Sequence, residues 1–188
     1  MEKMKKYELT TNTIVHNGRT LYQIKALMNF GIIREGDLGG YIESEKNLSQ
    51  EGSAWVSDNA CVSDNAWVGD DARVSGNARV SDDAWVSGNA RVSGDARVSG
   101  NASVSDDAWV SRNADYTTIK GFGTEYRNTT FFRCKDGNVR VVCGCFYGTI
   151  DEFREQVKRT RAGKIAEEYL MIADLMEFHF REENTNDM

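Results

Sequence analysis

Four tryptophans, Trp55, Trp67, Trp85 and Trp109, and four arginines, Arg73, Arg79, Arg91 and Arg97, stand at multiples of six residues from one another. They are the side chains here best suited to gripping a ligand. An indole offers a flat apolar face and a guanidinium a planar cation, so together they suit a flat anion such as a nucleotide. Catalysis has less to work with. His16 lies beside an Asn17-Gly18 turn and His179 in a final helical stretch, and each reads as an ordinary surface or core histidine. Cys134, Cys143 and Cys145 invite a metal reading with His179 as fourth ligand, but the spacing matches no zinc motif. Cysteine acting as a small hydrophobe on a buried apolar strand is the simpler reading. Gly121 and Gly123 in KGFG lack the strand-to-helix transition that a phosphate loop needs, so they read as turn glycines. No catalytic residue, metal ligand or cofactor is expected.

The elements that position the tryptophans and arginines follow from a repeat. From residue 54 the chain reads AWVSDN ACVSDN AWVGDD ARVSGN ARVSDD AWVSGN ARVSGD ARVSGN ASVSDD AWVSRN, ten hexads without a break to residue 113. Valine holds one phase throughout and alanine stands two residues before it. A period of six cannot serve a helix of 3.6 residues per turn, but it fits short strands of alternating side chains, each ended by a turn. Asp, Asn and Gly fill the two positions before each alanine, where a corner needs unusual backbone angles. The valines must therefore point inward with the small alanines beside the corners.

This pattern resembles the hexapeptide-repeat family. The resemblance implies a mainly β fold, a left-handed parallel β-helix with three hexads, 18 residues, per coil, and it implies trimerisation. Neighbouring coils then sit about 4.8 Å apart and residues 18 apart stack in columns. The outward position gives three faces: Trp55, Arg73, Arg91 and Trp109 on the first; Cys61, Arg79, Arg97 and Asp115 on the second; Trp67, Trp85 and Ser103 on the third. All four indoles are expected to face water, which suggests a contact surface, either a trimer seam or a ligand site. Bulky side chains that merely favour strand conformation are the bland alternative. On the first face the guanidiniums are expected to stack between two indoles as a cationic, aromatic strip. The repeat carries nine aspartates and five arginines and neither Lys nor Glu. Corner aspartates could recruit calcium, yet their spacing matches no calcium loop, and turn chemistry explains them better.

The flanks read as caps. Residues 1–53 should hold a hairpin about Asn17-Gly18 and then an irregular first coil, with Ile42 and Leu48 six apart but Lys46 where a small residue belongs. Residues 54–116 form the β-helix. Residues 117–188 should form an α+β unit: two or three strands, one hairpin turning at Asp136-Gly137, then two helices. The first helix opens with a Thr149/Glu152 capping box and carries a stripe of Ile150, Phe153 and Val157; the second carries Ile165, Tyr169, Ile172, Met176 and Phe180. The tail REENTNDM should fray.

A chain of 188 residues, 40% apolar and 28% charged with no proline, fits one globular unit with appendages. Its net charge of −6 argues against coating an anionic membrane or binding nucleic acid broadly and non-specifically. The start MEKMKKYELT has no apolar run behind it, no window approaches the ~20 apolar residues that span a bilayer, and the four cysteines show no disulfide framework. A soluble, cytoplasmic protein with free thiols is expected.

On function, the family resemblance implies acyl transfer as the default activity, normally with a histidine base, and no hexad contains histidine. The carbonic-anhydrase branch needs three histidine ligands, and there are two histidines. The segment GDLGGYIESEKNLSQEGSAWV, with near-perfect repeats behind it, looks like a group of uncharacterised proteins of bacteria and their phages, and GTIDEF…AEEYL looks like small prophage-type proteins. These likenesses imply a non-catalytic oligomeric binding protein, phage or prophage encoded, acting in host interaction. It would sequester a nucleotide-like signal or block a host defence protein through Trp55, Arg73, Arg91, Trp109, Trp67, Trp85, Arg79 and Arg97. A structural oligomerisation module, including a virion part, and an acyltransferase are the alternatives.

Overall fold

Each hexad yields one two-residue strand and one corner in the computed structural model, which describes residues 4–181. The strands run from β4, Trp55–Val56, to β13, Trp109–Val110. They pair in parallel with the strand 18 residues on, Trp55 with Arg73 and Cys61 with Arg79, so three sheets wind into a parallel β-solenoid of 18-residue coils. All ten valines are 0% exposed and no repeat alanine exceeds 1%. Nine consecutive corners, from Asp58 to Asp106, place the first corner residue at a φ between 54° and 67°, and each is Asp or Gly. These are residues that reach the left-handed region at low cost. The aspartates also tie coils together: Asp58, Asp70 and Asp82 each accept from the backbone N–H of Gly76, Gly88 and Gly100, 18 residues on. The tenth corner carries Arg112, whose φ is −134°. The repeat stops there.

Because the valine phase leaves no slack beside each alanine, Ala84→Leu should cost about 1–3 kcal/mol through overpacking against Val86. A melting curve like that of the unaltered protein would mean that the inward phase is misassigned.

The N-terminal cap begins with β1, Tyr7–His16, and β2, Arg19–Ala26, antiparallel about a turn in which Asn17 and Gly18 both have positive φ. β2 pairs with β3, Leu38–Ile42, and β3 runs parallel to the solenoid strand at Cys61–Val62. Ile42 lies opposite Val62 and Leu48 opposite Val68, two residues out of the 18-residue register. This irregular coil thus extends the valine column downward. One expectation is corrected: a single turn of 3-10 helix at Glu45–Asn47 turns Lys46 outward and buries Asn47 instead. The Asn47 amide donates to the backbone oxygens of Asp64 and Ala66 and closes the end of the ladder.

At the other end a four-stranded antiparallel sheet follows: β14, Tyr116–Phe122; β15, Arg127–Arg133; β16, Val139–Cys143; β17, Phe146–Thr149. Successive β15 side chains point to opposite faces. Phe132 joins the solenoid core, and Phe131 joins the layer formed with α1, Ile150–Thr160, and α2, Gly163–Phe180. The expected capping box is present, with the Glu152 N–H on Thr149 Oγ1 at 3.1 Å and the Thr149 N–H on Glu152 Oε2 at 2.7 Å. Both apolar stripes face this second core. Gly123 is required by close approach, since a β-carbon there would lie 2.4 Å from the Tyr169 hydroxyl. The cysteines depart from expectation. Cys134 is buried, but Cys143 is half-buried and Cys145, in the turn after β16, is exposed. Beyond Arg181 the tail lies outside the described residues.

Candidate functional site

The first face is concave. Trp55, Arg73, Arg91 and Trp109 stack in register, and with Ser57, Ser75 and Ser93 and the side wall of Ile32 and Ile33 they line a groove of about 450 Å³. That is within the usual size of a small-molecule site. The wall comes from the tight turn Phe30-Gly31-Ile32-Ile33, closed by reciprocal backbone hydrogen bonds between Phe30 and Ile33 and built on Gly31 at φ 53°. Sequence reading missed this wall, because its signal, the apolar pair Ile32-Ile33 after a glycine, lies outside the repeat.

The four indoles are not equivalent, contrary to expectation. Trp109 is 42% exposed, but Trp55 is buried at 3% beneath Phe30 and Tyr7, whose rings stand edge-on at 5.4 and 6.4 Å. Gly39 admits the Trp55 ring edge, since a β-carbon there would lie 2.7 Å from it. The groove is therefore closed at Trp55 and open at Trp109. Nor do the arginines stack on indoles: among the described residues the cation–ring contacts are Lys6 over Phe30 and Arg133 over Phe180. Arg73 and Arg91 make no ion pair or side-chain hydrogen bond among the described residues, so both guanidiniums remain available on the groove floor. Asp71 senses the charge of Arg73, but its carboxyl is held low mainly by hydrogen bonds from the Ser53 hydroxyl and N–H.

Lys6 supports the wall from behind. It is 3% exposed, donates to the backbone oxygens of Glu51 and Ala54 at 3.2 and 3.0 Å, and lies 5.0 Å from the Phe30 ring centre. Burial pushes its ammonium down to about 8 from an ordinary 10.5, with Asp71 opposing in part. The folded chain then holds fewer protons than the unfolded chain between those values, so this group raises stability as pH rises through that window. Lys6→Met should consequently be more stable relative to the parent at pH 7 than at pH 10. A variant-minus-parent difference in melting temperature that does not fall from pH 7 to pH 10 would contradict the burial of a charged Lys6.

On the second face Cys61 is buried and Arg79 and Arg97 follow in register, again without an ion pair among the described residues. Asp115, expected at the top of this column, instead turns inward at 2% exposure. It accepts from the Ser111 and Arg112 N–H groups and the Ser111 hydroxyl, which cap the final coil. His16, at the hairpin end, is half-buried; partial burial and then the charges of Arg79 and Arg97 hold it below its usual pKa. On the third face Trp67 and Trp85 lie 4.1 Å apart at 38°, and Trp85 is half exposed. Gly69 stands where the nine other hexads have Ser, and a β-carbon there would meet the Trp67 ring at 1.9 Å. That glycine seats the indole. Neither histidine lines the groove.

Among the described residues no group of three or more His, Cys, Asp or Glu could hold a metal ion, and no helix is long and apolar enough to cross a membrane. No curated protein matches the chain. Residues 72–88, 84–98 and 96–112 match the repeat described as the YdcK beta solenoid repeat. Those residues are the coils that carry Arg73, Arg79, Arg91 and Arg97, and through them the chain is similar to that repeat: a parallel β-solenoid of 18-residue coils, built of hexapeptides.

Proposed function

We propose that this chain is a non-catalytic binding protein whose first-face groove takes a planar anion of the nucleotide class. The observation that carries this reading is the groove itself: two guanidiniums on its floor that have no ion pair among the described residues, an exposed indole at its open end and an apolar wall beside them. A phosphate would accept charge-assisted hydrogen bonds from Arg73 and Arg91, with Ser75 and Ser93 beside them. The ring would lie against Trp109, an interaction worth roughly 1–3 kcal/mol for a base. The biological setting proposed is host interaction by a phage- or prophage-encoded cytoplasmic protein that sequesters a nucleotide-like signal or blocks a defence protein. Calorimetry against linear and cyclic nucleotides tests the groove. Binding by the parent protein, lost in Arg73→Ala with assembly intact, is expected; a parent protein that binds none of them rules the reading out.

A second reading, an oligomerisation module, is favoured by the third face, where the Trp67–Trp85 pair, tilted at 38°, presents apolar surface that is half exposed at Trp85. We assign the self-association seam, most simply that of a trimer, to this pair. Light scattering should show an oligomer that Trp67→Ala dissociates and Arg73→Ala does not. A parent protein that is monomeric at micromolar concentration would remove the seam.

A further inference from the structure

All five arginines of the repeat border one of the three solenoid corners. Arg73 and Arg91 precede it on the first face, Arg79 and Arg97 follow it on the second, and Arg112 stands on it. The left-handed position of this corner is Asp58 in the lowest coil but Gly76 and Gly94 in the next two, so what stands between the arginine columns there is two glycines and a short ladder in which the Asn59 amide donates to Asn77 and the Asn77 amide to Asp95. Acids gather on the other two corners: Asp64, Asp82 and Asp83 on one, Asp70, Asp71, Asp106 and Asp107 on the other. This corner keeps only Asp58 and Asp95. The repeat is acidic in sum but strongly polarised around its axis. Arg73 lies directly beside Arg91, and Arg79 beside Arg97, in neighbouring strands, and like charges so placed destabilise a sheet. Arg112 spends its charge internally on Asp115 at 3.0 Å; the other four make no ion pair among the described residues. An anion from outside, present on both sides of the corner, would offset this repulsion.

We infer that this corner is a phosphodiester-binding edge, and that the groove's occupant is a short single-stranded oligonucleotide rather than a lone mononucleotide. One base lies against Trp109, its phosphate on Arg73 and Arg91, and the next phosphate crosses Gly76 and Gly94 to Arg79 and Arg97. The inference rests on the groove reading and extends it onto the second face. There His16, whose ring senses the charges of Arg79 and Arg97, adds a hydrogen-bonding group beside the two arginines.

The test is fluorescence anisotropy with labelled hexaadenylate across a salt series, beside calorimetry with adenosine monophosphate, on the parent protein and on Arg79→Gln/Arg97→Gln. The hexamer should bind at least about tenfold more tightly than the mononucleotide. Its log affinity should fall with log salt at a slope of about −1.4 to −2.8, for two to four neutralised phosphates. In the double variant, with an unaltered far-UV spectrum, that advantage should disappear while mononucleotide affinity stays within about twofold of the parent. Mononucleotide binding with no gain for the hexamer would overturn the edge and leave the groove reading intact. Binding of neither removes both. Heparin bound as tightly as the hexamer would overturn the phosphodiester assignment in favour of general polyanion attraction.

Discussion

Phe132→Ala is expected to lower the free energy of unfolding by about 3–5 kcal/mol, the usual cost of emptying a buried phenylalanine site that cannot collapse. Phe132 is 0% exposed and belongs to the solenoid core, where it covers the last coil beside Cys134. The lid is fixed at its rim by the Ala108–Cys134 bridge, by the Lys135 N–H on the Asp107 oxygen at 3.1 Å and by the Ser103 N–H on Thr130 Oγ1 at 3.1 Å. Removing the ring opens a cavity that these bonds hold apart. Phe131→Ala, one residue away, should cost a similar amount from the other core, against Phe153. Hydrogen exchange separates the two: Phe132→Ala should deprotect amides of the final solenoid coil, and Phe131→Ala those of α1 and α2. A Phe132→Ala variant with the parent's urea midpoint would refute the capping role of β15.

Arg73→Ala and Arg91→Ala should each weaken nucleotide binding by about 10- to 150-fold, because a hydrogen bond to a charged group is worth about 1.5–3 kcal/mol. The two share one phosphate, so their effects should not add. Trp109→Ala should cost about 1–3 kcal/mol and should act on the ring, sparing the affinity for inorganic phosphate. Trp55→Ala is a contrast case. Its indole packs under Phe30 and Tyr7, so the loss should appear first in stability and reach the ligand only through the displaced wall. Affinity unchanged in Arg73→Ala and Arg91→Ala alike would exclude the groove as the site.

Much of the solenoid was legible because one side-chain requirement recurs at every hexad. Valine inward, alanine beside the corner and Asp or Gly at the left-handed position are each local, and their period fixes the 18-residue register that aligns Arg73 with Arg91. The capping box at Thr149 was legible for the same reason. What sequence reading missed depends on contacts between segments far apart in the chain. Trp55 and Trp85 sit in hexads that differ only at the corner residue, Asp58 against Gly88, and it is Phe30, Tyr7 and Gly39 that bury the first indole and leave the second exposed. Asp115 keeps the repeat phase but follows Arg112, which does not adopt the left-handed corner, so its carboxylate turns in to cap the coil. Net charge is blind to a third feature: it averages over corners that the register sorts into acidic and basic edges, and the columns reveal that all five arginines share one edge.

The most direct test of the account is a crystal structure of the protein grown with adenosine monophosphate at a saturating concentration established by calorimetry. The phosphate should lie within about 2.7–3.2 Å of the Arg73 and Arg91 guanidiniums, with the adenine against Trp109 beside Ile32. A nucleotide bound elsewhere on the molecule, or an empty first-face groove at that concentration, would contradict it.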